Sequence, residues 1–412
     1  MVQPVRGKNQ YVGYFLRGAS QFAKPRTIGA IARFIMGVLF ATYDRSVAGI
    51  REAIADSPTA SAMRQFLRSK ELTAQLVRIL DWKTQQIIHK ALRRRKNRHG
   101  RIVLCIDSTF KGTLSALARN LFFPGPGKEK RTGNHIFVYG LLVFPDGRLL
   151  PLRPLQRKRK DAATQVDLAQ ELVRMLATML QGCEVVVVAD SFFFAKKLIT
   201  TITRSGFHYV IACQGNTVVS DGWNFQSHVA DVRFKGFDVT LLSTRGERKK
   251  KFSVAMEKLV LRTGGLQAVV FSRRYKKPGA EVKFLASDLL EATRVEIASL
   301  YALRWQIELF FREAKMYLGL DQYRIGGDHG PENFAMLVTL AYQFLHWHGR
   351  DRAQRQTTLT RTREFAHSVA ADNIIVIERA AITRHRRKKL REHYGILSRK
   401  SAQVSRGLRK AV

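Results

Sequence analysis

Acidic residues are scarce in this chain: 32 Asp and Glu stand against 71 Lys and Arg over 412 residues, a formal charge of +39. Such an excess destabilises a compact monomer by self-repulsion, so an anionic partner is implied. Neutralisation of phosphates makes nucleic acid the expected one. Cysteine is scarce too. Cys105, Cys183 and Cys213 lack CxxC or other zinc-ligand spacing and are odd in number, so buried free thiols in a reducing cytoplasm are the simple reading. Long apolar runs are missing as well. The two longest, 27–43 (interrupted by Arg33) and 333–347, fall short of a membrane span, and MVQPVRGKNQYVGYF at the start has no apolar signal-peptide core. No membrane partner is expected.

Hydrophobic residues make up 45% of the chain, enough for a sizeable core in two or three folding units. Apolar positions at helical period run through 27–43, 46–54, 60–68 and 71–92, so residues 1–98 read as a helical N-terminal domain. The pair 46–54 and 60–68 has helix-turn-helix proportions, with Ser61, Arg64, Gln65 and Arg68 as its DNA-contacting side chains; a plain bundle that packs or dimerises fits equally. The basic stretch 93–100 marks a boundary.

The period then changes. RIVLCID (101–107) and HIFVYGLLVF (135–144) read as strands, the Asp-Gly at 146–147 as a hairpin turn, and 162–181 as a helix. EVVVVAD (184–190), a helix from about 193 to 204 and FHYVIAC (207–213) follow. This order predicts an α/β domain over 99–348, a mixed sheet flanked by helices. It is interrupted at about 215–288 by an antiparallel β insertion. A helical pattern resumes near 290 and continues to about 318, and a further helix starts at Pro331. Residues 349–412 form a strongly basic C-terminal region without a convincing core.

Two strands end alike, VLCIDS at Asp107 and VVVADS at Asp190. Open α/β sheets place ligands at that edge, although Asp-Ser also serves simply to turn a chain or cap a helix. If the first and fourth strands are neighbours, the two carboxylates face each other and need cations to coexist. A third acid must come from a helix. In YALRWQIELFFREAK (301–315), Tyr301, Arg304, Glu308, Arg312 and Lys315 fall within roughly 80° of arc on one helix face. Glu308 there is either the third acid or one partner in an ion-pair ladder with Arg304 or Arg312.

Asp107, Asp190 and Glu308, with Tyr301-x2-Arg304-x3-Glu308-x6-Lys315, resemble bacterial insertion-sequence transposases of the DDE type that carry the Y-R-E-K signature. The resemblance covers roughly 101–348, insertion included. It implies an RNase H-like core that cuts transposon ends and joins the freed 3′ hydroxyls to target DNA. Asp107, Asp190 and Glu308 would be the catalytic metal ligands for two Mg²⁺ ions, with Mn²⁺ able to substitute. Tyr301, Arg304 and Lys315 would bind phosphates, and Trp223 is either a stacking surface for a flipped base or a core or turn residue; Arg312, on the same helix face but outside the signature, either faces DNA or balances Glu308. The implied partners are double-stranded DNA, as terminal inverted repeats and target, and a second copy of the chain on that DNA. The implied location is the bacterial cytoplasm, at the nucleoid. A metal-dependent nuclease that cuts without joining, and a DNA-binding protein whose acids are structural, are the two competing functions.

Three weaker candidates complete the reading. His135 begins the second strand near the acids, yet reads better as structural. The segment 123–134 lacks the GK[ST] of a phosphate-binding loop and reads as a basic loop near DNA. His329 reads as part of a turn capping the next helix.

Overall fold

A computed structural model describes residues 12–41, 44–54, 58–94, 97, 99–113, 118–122, 133–243, 246–275, 281–347, 358 and 360–362. The basic loop at 123–132 and nearly all of the C-terminal region lie outside the described residues, as does the 55–57 link between the two helices of the helix-turn-helix expectation.

Helices come first: α1 (Pro25–Phe40), α2 (Val47–Glu52), α3 (Ala60–Leu67) and α4 (Lys70–Leu92). Pro25 opens α1, where its missing N–H costs nothing, and Ser46, Thr59 and Ser69 each cap the helix that follows by accepting a backbone N–H. On α3, Met63 and Leu67 are buried, while Ser61, Gln65 and Arg68 are exposed and Arg64 is half-buried.

The strands β1 (Ile102–Thr113), β2 (Gly133–Val143), β3 (Leu149–Pro151), β4 (Leu155–Arg157), β5 (Val185–Ala189) and β6 (His208–Cys213) form the central sheet. Helices α5 (Gln165–Met179) and α6 (Lys196–Arg204) connect β4 to β5 and β5 to β6. The strand order is β3-β2-β1-β5-β6, with β2 antiparallel to β1 and with β5 and β6 parallel to it. This is the RNase H-like arrangement expected from the sequence, and the first and fourth expected strands, here β1 and β5, are indeed neighbours.

Side-chain alternation divides the core in two. Ile102, Leu104, Ile106, Val185, Val187 and Ala189 pack on α5 and α6. Val103, Cys105, Val186 and Val188 face the opposite layer, built from the N-terminal helices, α7 (Arg294–Ala302), α8 (Trp305–Leu318) and α9 (Gly330–Trp347). The N-terminal helices thus share a core with the last helix, α9, which is predominantly apolar and almost wholly buried.

The insertion strands β7 (Lys235–Ser243), β8 (Gly246–Leu261), β9 (Gly265–Arg274) and β10 (Lys283–Ser287) are antiparallel, as expected. They also lengthen the central sheet, because β10 returns to pair antiparallel with the free edge of β6. Backbone hydrogen bonds left open on β6 are satisfied in this way.

Two expectations need correction. Asp107 is not at the end of its strand: β1 continues to Thr113 because β2 stays paired with it as far as Thr113↔Gly133, whereas β5 stops at Ala189. Nor is 290–318 one helix. At the junction of α7 and α8, Arg304, Gln306 and Ile307 donate their backbone N–H groups to Tyr301, Leu303 and Arg304 respectively, tight three-residue turns in place of four. Across that junction the Cys105 thiol, on β1, donates to the Leu303 carbonyl at 3.3 Å. Gly319 ends α8 with φ 71°, and a Cβ there would lie 2.3 Å from the Cβ of Arg45, so only glycine serves both the turn and the packing.

Candidate active site

Alternation places the first two acids. Asp107 shares the strand face of Cys105, and Asp190, one residue beyond β5, follows Val186 and Val188; both faces look toward α8. Ile106 pairs with Ala189, so the next positions in register are Asp107 and Asp190 themselves. Asp107 accepts the N–H of Ser108 at 2.7 Å. Asp190 accepts the N–H of Phe192 at 3.0 Å and so caps the turn Ser191–Phe193. The capping role foreseen for an Asp-Ser pair is real at Asp190, and it leaves the second carboxylate oxygen uncommitted to the turn.

The third acid arrives with α8. Ile307, Phe310, Ala314 and Leu318 seat that helix in the core, and Glu308 sits half-buried at its first turn. Arg304 joins the acids: its Nη1 lies 3.3 Å from Asp107 Oδ2 and its Nη2 lies 2.5 Å from Glu308 Oε1. The Arg304 side chain is only 15% exposed. Its Nε is buried and has no hydrogen-bond partner among the described residues. Tyr301 completes the group, with the Arg304 guanidinium 5.7 Å from its ring centre.

Burial and neighbouring charges together shift these groups. Burial pushes the Asp107 carboxyl up to about 6; the Ser108 N–H works against this, Asp190 adds to it, Arg304 opposes it and Glu308 adds again. Burial also raises the Tyr301 hydroxyl, with Arg304 opposing the shift. A carboxyl raised on folding binds its proton more tightly in the folded state. Its stabilising contribution is therefore complete below the ordinary carboxylate pKa near 4 and is lost as pH climbs through about 6. With divalent cations chelated, Asp107→Asn removes that loss. The thermal midpoint of the variant minus that of the parent should rise between about pH 4 and 6.5 and then level off; a difference independent of pH would contradict it.

Among the described residues, no three Asp, Glu, His or Cys side chains converge as a ready metal cage. Arg304 occupies the ground between Asp107 and Glu308 as the local cation. The chemistry of the donor set still fits a hard divalent ion, since all three acids offer oxygen ligands and their mutual charge calls for a counter-cation.

The remaining candidates are placed as follows. Lys315 is half-buried two turns further along α8. Arg312 is exposed, its guanidinium 5.9 Å from the Trp305 ring. Trp223 is half-buried in the insertion, its ring tilted 35° to that of His228 with centres 4.3 Å apart, against that insertion's own core. His135 is buried and bonds to the Tyr323 hydroxyl at 2.9 Å and the Arg119 carbonyl at 2.8 Å, a structural role. His329 bonds to Thr73 at 3.2 Å, and its carbonyl accepts the Asn333 N–H near the start of α9. Of the other acids near α8, Glu296 closes a capping box with Thr293, and Glu313 is buried and accepts from Thr358 at 2.6 Å.

Two features escaped sequence reasoning. Cys105 anchors the junction beside Arg304, and its position two residues before Asp107 on the same strand face was the available signal. Phe192 and Trp305, 53% and 42% exposed, lie directly beside Asp190 and Arg304; an aromatic next to a charged site residue was the signal there.

The strand order, with two acids on facing strands and a third on the helix crossing them, defines an RNase H-like protein of the DDE class. Residues 98–344 match the family model for the transposase DDE domain, and the chain belongs to that family. It is accordingly a DNA transposase, and the family implies nuclease and transferase activity. Comparison with curated proteins finds no match. Among solved structures, a cryo-EM piggyBac transposase synaptic complex with hairpin DNA is similar over 94% of this chain and 82% of that chain, with 11% identity and a TM-score of 0.43. No helix among the described residues is long and apolar enough to cross a membrane.

Proposed function

We propose that this transposase cuts the terminal inverted repeats of a bacterial insertion sequence and joins the freed 3′ hydroxyls to target DNA. One observation supports this reading above others: strand register and alternation set Asp107 and Asp190 on one face, and α8 brings Glu308 to the same guanidinium that touches Asp107. Asp107, Asp190 and Glu308 would hold divalent cations, two Mg²⁺ with Mn²⁺ able to substitute, which would activate the attacking oxygen and stabilise the leaving one. Arg304 carries a guanidinium of the kind that forks onto phosphate oxygens. Tyr301 supplies a hydroxyl and a ring face beside it, and Lys315 a point charge further along the strand. Trp223 and Arg312 are assigned outer roles, a base-stacking face and a phosphate contact.

The helical region 1–98 is read as the DNA-recognition part, with Ser61, Gln65 and Arg68 of α3 on its exposed face. Bringing two ends together requires at least a dimer on DNA, working in the cytoplasm at the nucleoid. The test incubates the purified chain with duplex DNA carrying the inverted repeats that border its gene, plus Mg²⁺, and maps the products. Cut ends joined to a second duplex are expected. Cleavage without joining would favour a plain nuclease, and binding without metal-dependent cleavage would favour a DNA-binding protein with structural acids.

A further inference from the structure

Lys111 plays no part in the site described so far, yet alternation puts it on the same face of β1 as Asp107, four residues further on. At about 3.3 Å per residue that is roughly 13 Å from the acid. Lys315 lies seven residues beyond Glu308 on α8, roughly 10 Å at 1.5 Å per residue. Since Arg304 ties Asp107 to Glu308, strand and helix start from one point, and their two lysines lie at similar distances from it.

Three observations place the two lysines in one neighbourhood. The Lys111 ammonium stands 5.9 Å from the centre of the Tyr323 ring, a surface that is itself buried and held by the His135 bond to its hydroxyl. His135 is the cross-strand partner of Lys111 on β2. Burial lowers the Lys315 ammonium below its ordinary range, with Asp321 working against the shift and Lys111 adding to it. Both lysines are half-buried, and neither forms an ion pair among the described residues. Two like charges brought together on rigid elements, over an aromatic face and with one nearby acid, are a costly arrangement in the free protein. A bound anion offsets that cost.

We infer that Lys111 and Lys315 together clamp one backbone phosphate of the bound DNA, displaced from the bond that is cut by about three nucleotides at ~3.4 Å of axis each. The inference rests on the proposed function, which already gives Lys315 a phosphate contact; it adds Lys111 as the partner and His135–Tyr323 as the support beneath it. Lys111 is a positioning residue: it sets the register of the strand relative to the acids and does not touch the reacting atoms.

The test is equilibrium binding of the full-length chain to a fluorescein-labelled duplex of the inverted repeat bordering its gene, titrated across salt concentration in EDTA. Lys111→Gln should weaken binding about fivefold and reduce the slope of log K against log salt by about one, as Lys315→Gln also does. The double variant should lose less than the product of the two single effects, because both ammoniums serve one phosphate. Lys111→Arg should restore the slope, and without DNA the thermal midpoint of Lys111→Gln should equal or exceed that of the parent, because one of two like charges is gone. An unchanged affinity and slope in Lys111→Gln, or strictly multiplicative losses in the double variant, would overturn the shared clamp. The readout needs no cleavage, so failure of the parent chain to cut the duplex would sink the proposed function while the lysine contact is still measured.

Discussion

Asp107→Asn should still bind terminal duplexes and should cut them at least about a thousandfold more slowly than the parent. Asparagine keeps an oxygen to accept the Ser108 N–H, which the aspartate now does at 2.7 Å, so the strand is preserved. What it would lose, on the proposed function, is the negative charge that would hold a cation beside the reacting phosphate. Ligation of that kind contributes several kcal/mol to a phosphoryl-transfer transition state, and about 4 kcal/mol is a factor of 10³. Asp190→Asn and Glu308→Gln should fall equally far, and pairs of these changes little further, since the acids act as one unit. Binding should hold or tighten, because each change removes a negative charge facing DNA. Rates from end-labelled duplexes, beside anisotropy titrations, make the comparison; cutting at the parental rate by any one variant would remove that residue from the catalytic set.

Arg304→Ala should show an effect of a different kind, a stability loss that divalent cations repair. The guanidinium bridges Asp107 and Glu308 at 15% exposure, and without it three acids face one another with no cation between them. Breaking a buried pair by removing one partner costs about 3–5 kcal/mol; partial exposure of the acids lowers that to about 2 kcal/mol, several degrees in thermal midpoint. Because a ligand that binds only the folded form stabilises it by mass action, Mg²⁺ or Mn²⁺ should raise the midpoint of the variant more than that of the parent. Strand transfer should fall as well, since the forked phosphate contact is gone. Arg304→Lys should recover the charge and not the fork. Equal midpoints of parent and Arg304→Ala in EDTA would show that the bridge contributes nothing in solution.

Much of the site was legible because strands advertise themselves locally. The runs VLCID and VVVAD announce buried strands by composition, and a period of two then decides which face each acid takes. Once β1 and β5 are neighbours, Asp107 and Asp190 must come together. Helix positions were equally local: apolar residues at helical period mark α2, α3 and α4, and the structure adds their caps at Ser46, Thr59 and Ser69.

Other features depended on partners far along the chain. A helical face drawn at 100° per residue joins Tyr301 to Lys315 in one stripe, but the chain tightens between α7 and α8, where Cys105 holds the Leu303 carbonyl from nearly two hundred residues away. The strand length of β1 past Asp107 follows from β2 and not from its own composition. The four insertion strands could be read from alternation, whereas their union with the central sheet depended on β10 finding the open edge of β6.

Residue type and spacing were thus sufficient to single out the three candidate acids, the candidate phosphate-binding cations and most of the order of strands and helices, because these follow from backbone periodicity and from charges on a single element. Tertiary structure alone set Arg304 against Asp107, His135 beneath Tyr323 and Lys111 over the Tyr323 ring. Each of these pairs side chains from separate elements, and packing in three dimensions, unlike periodicity, leaves no trace in a local stretch of chain.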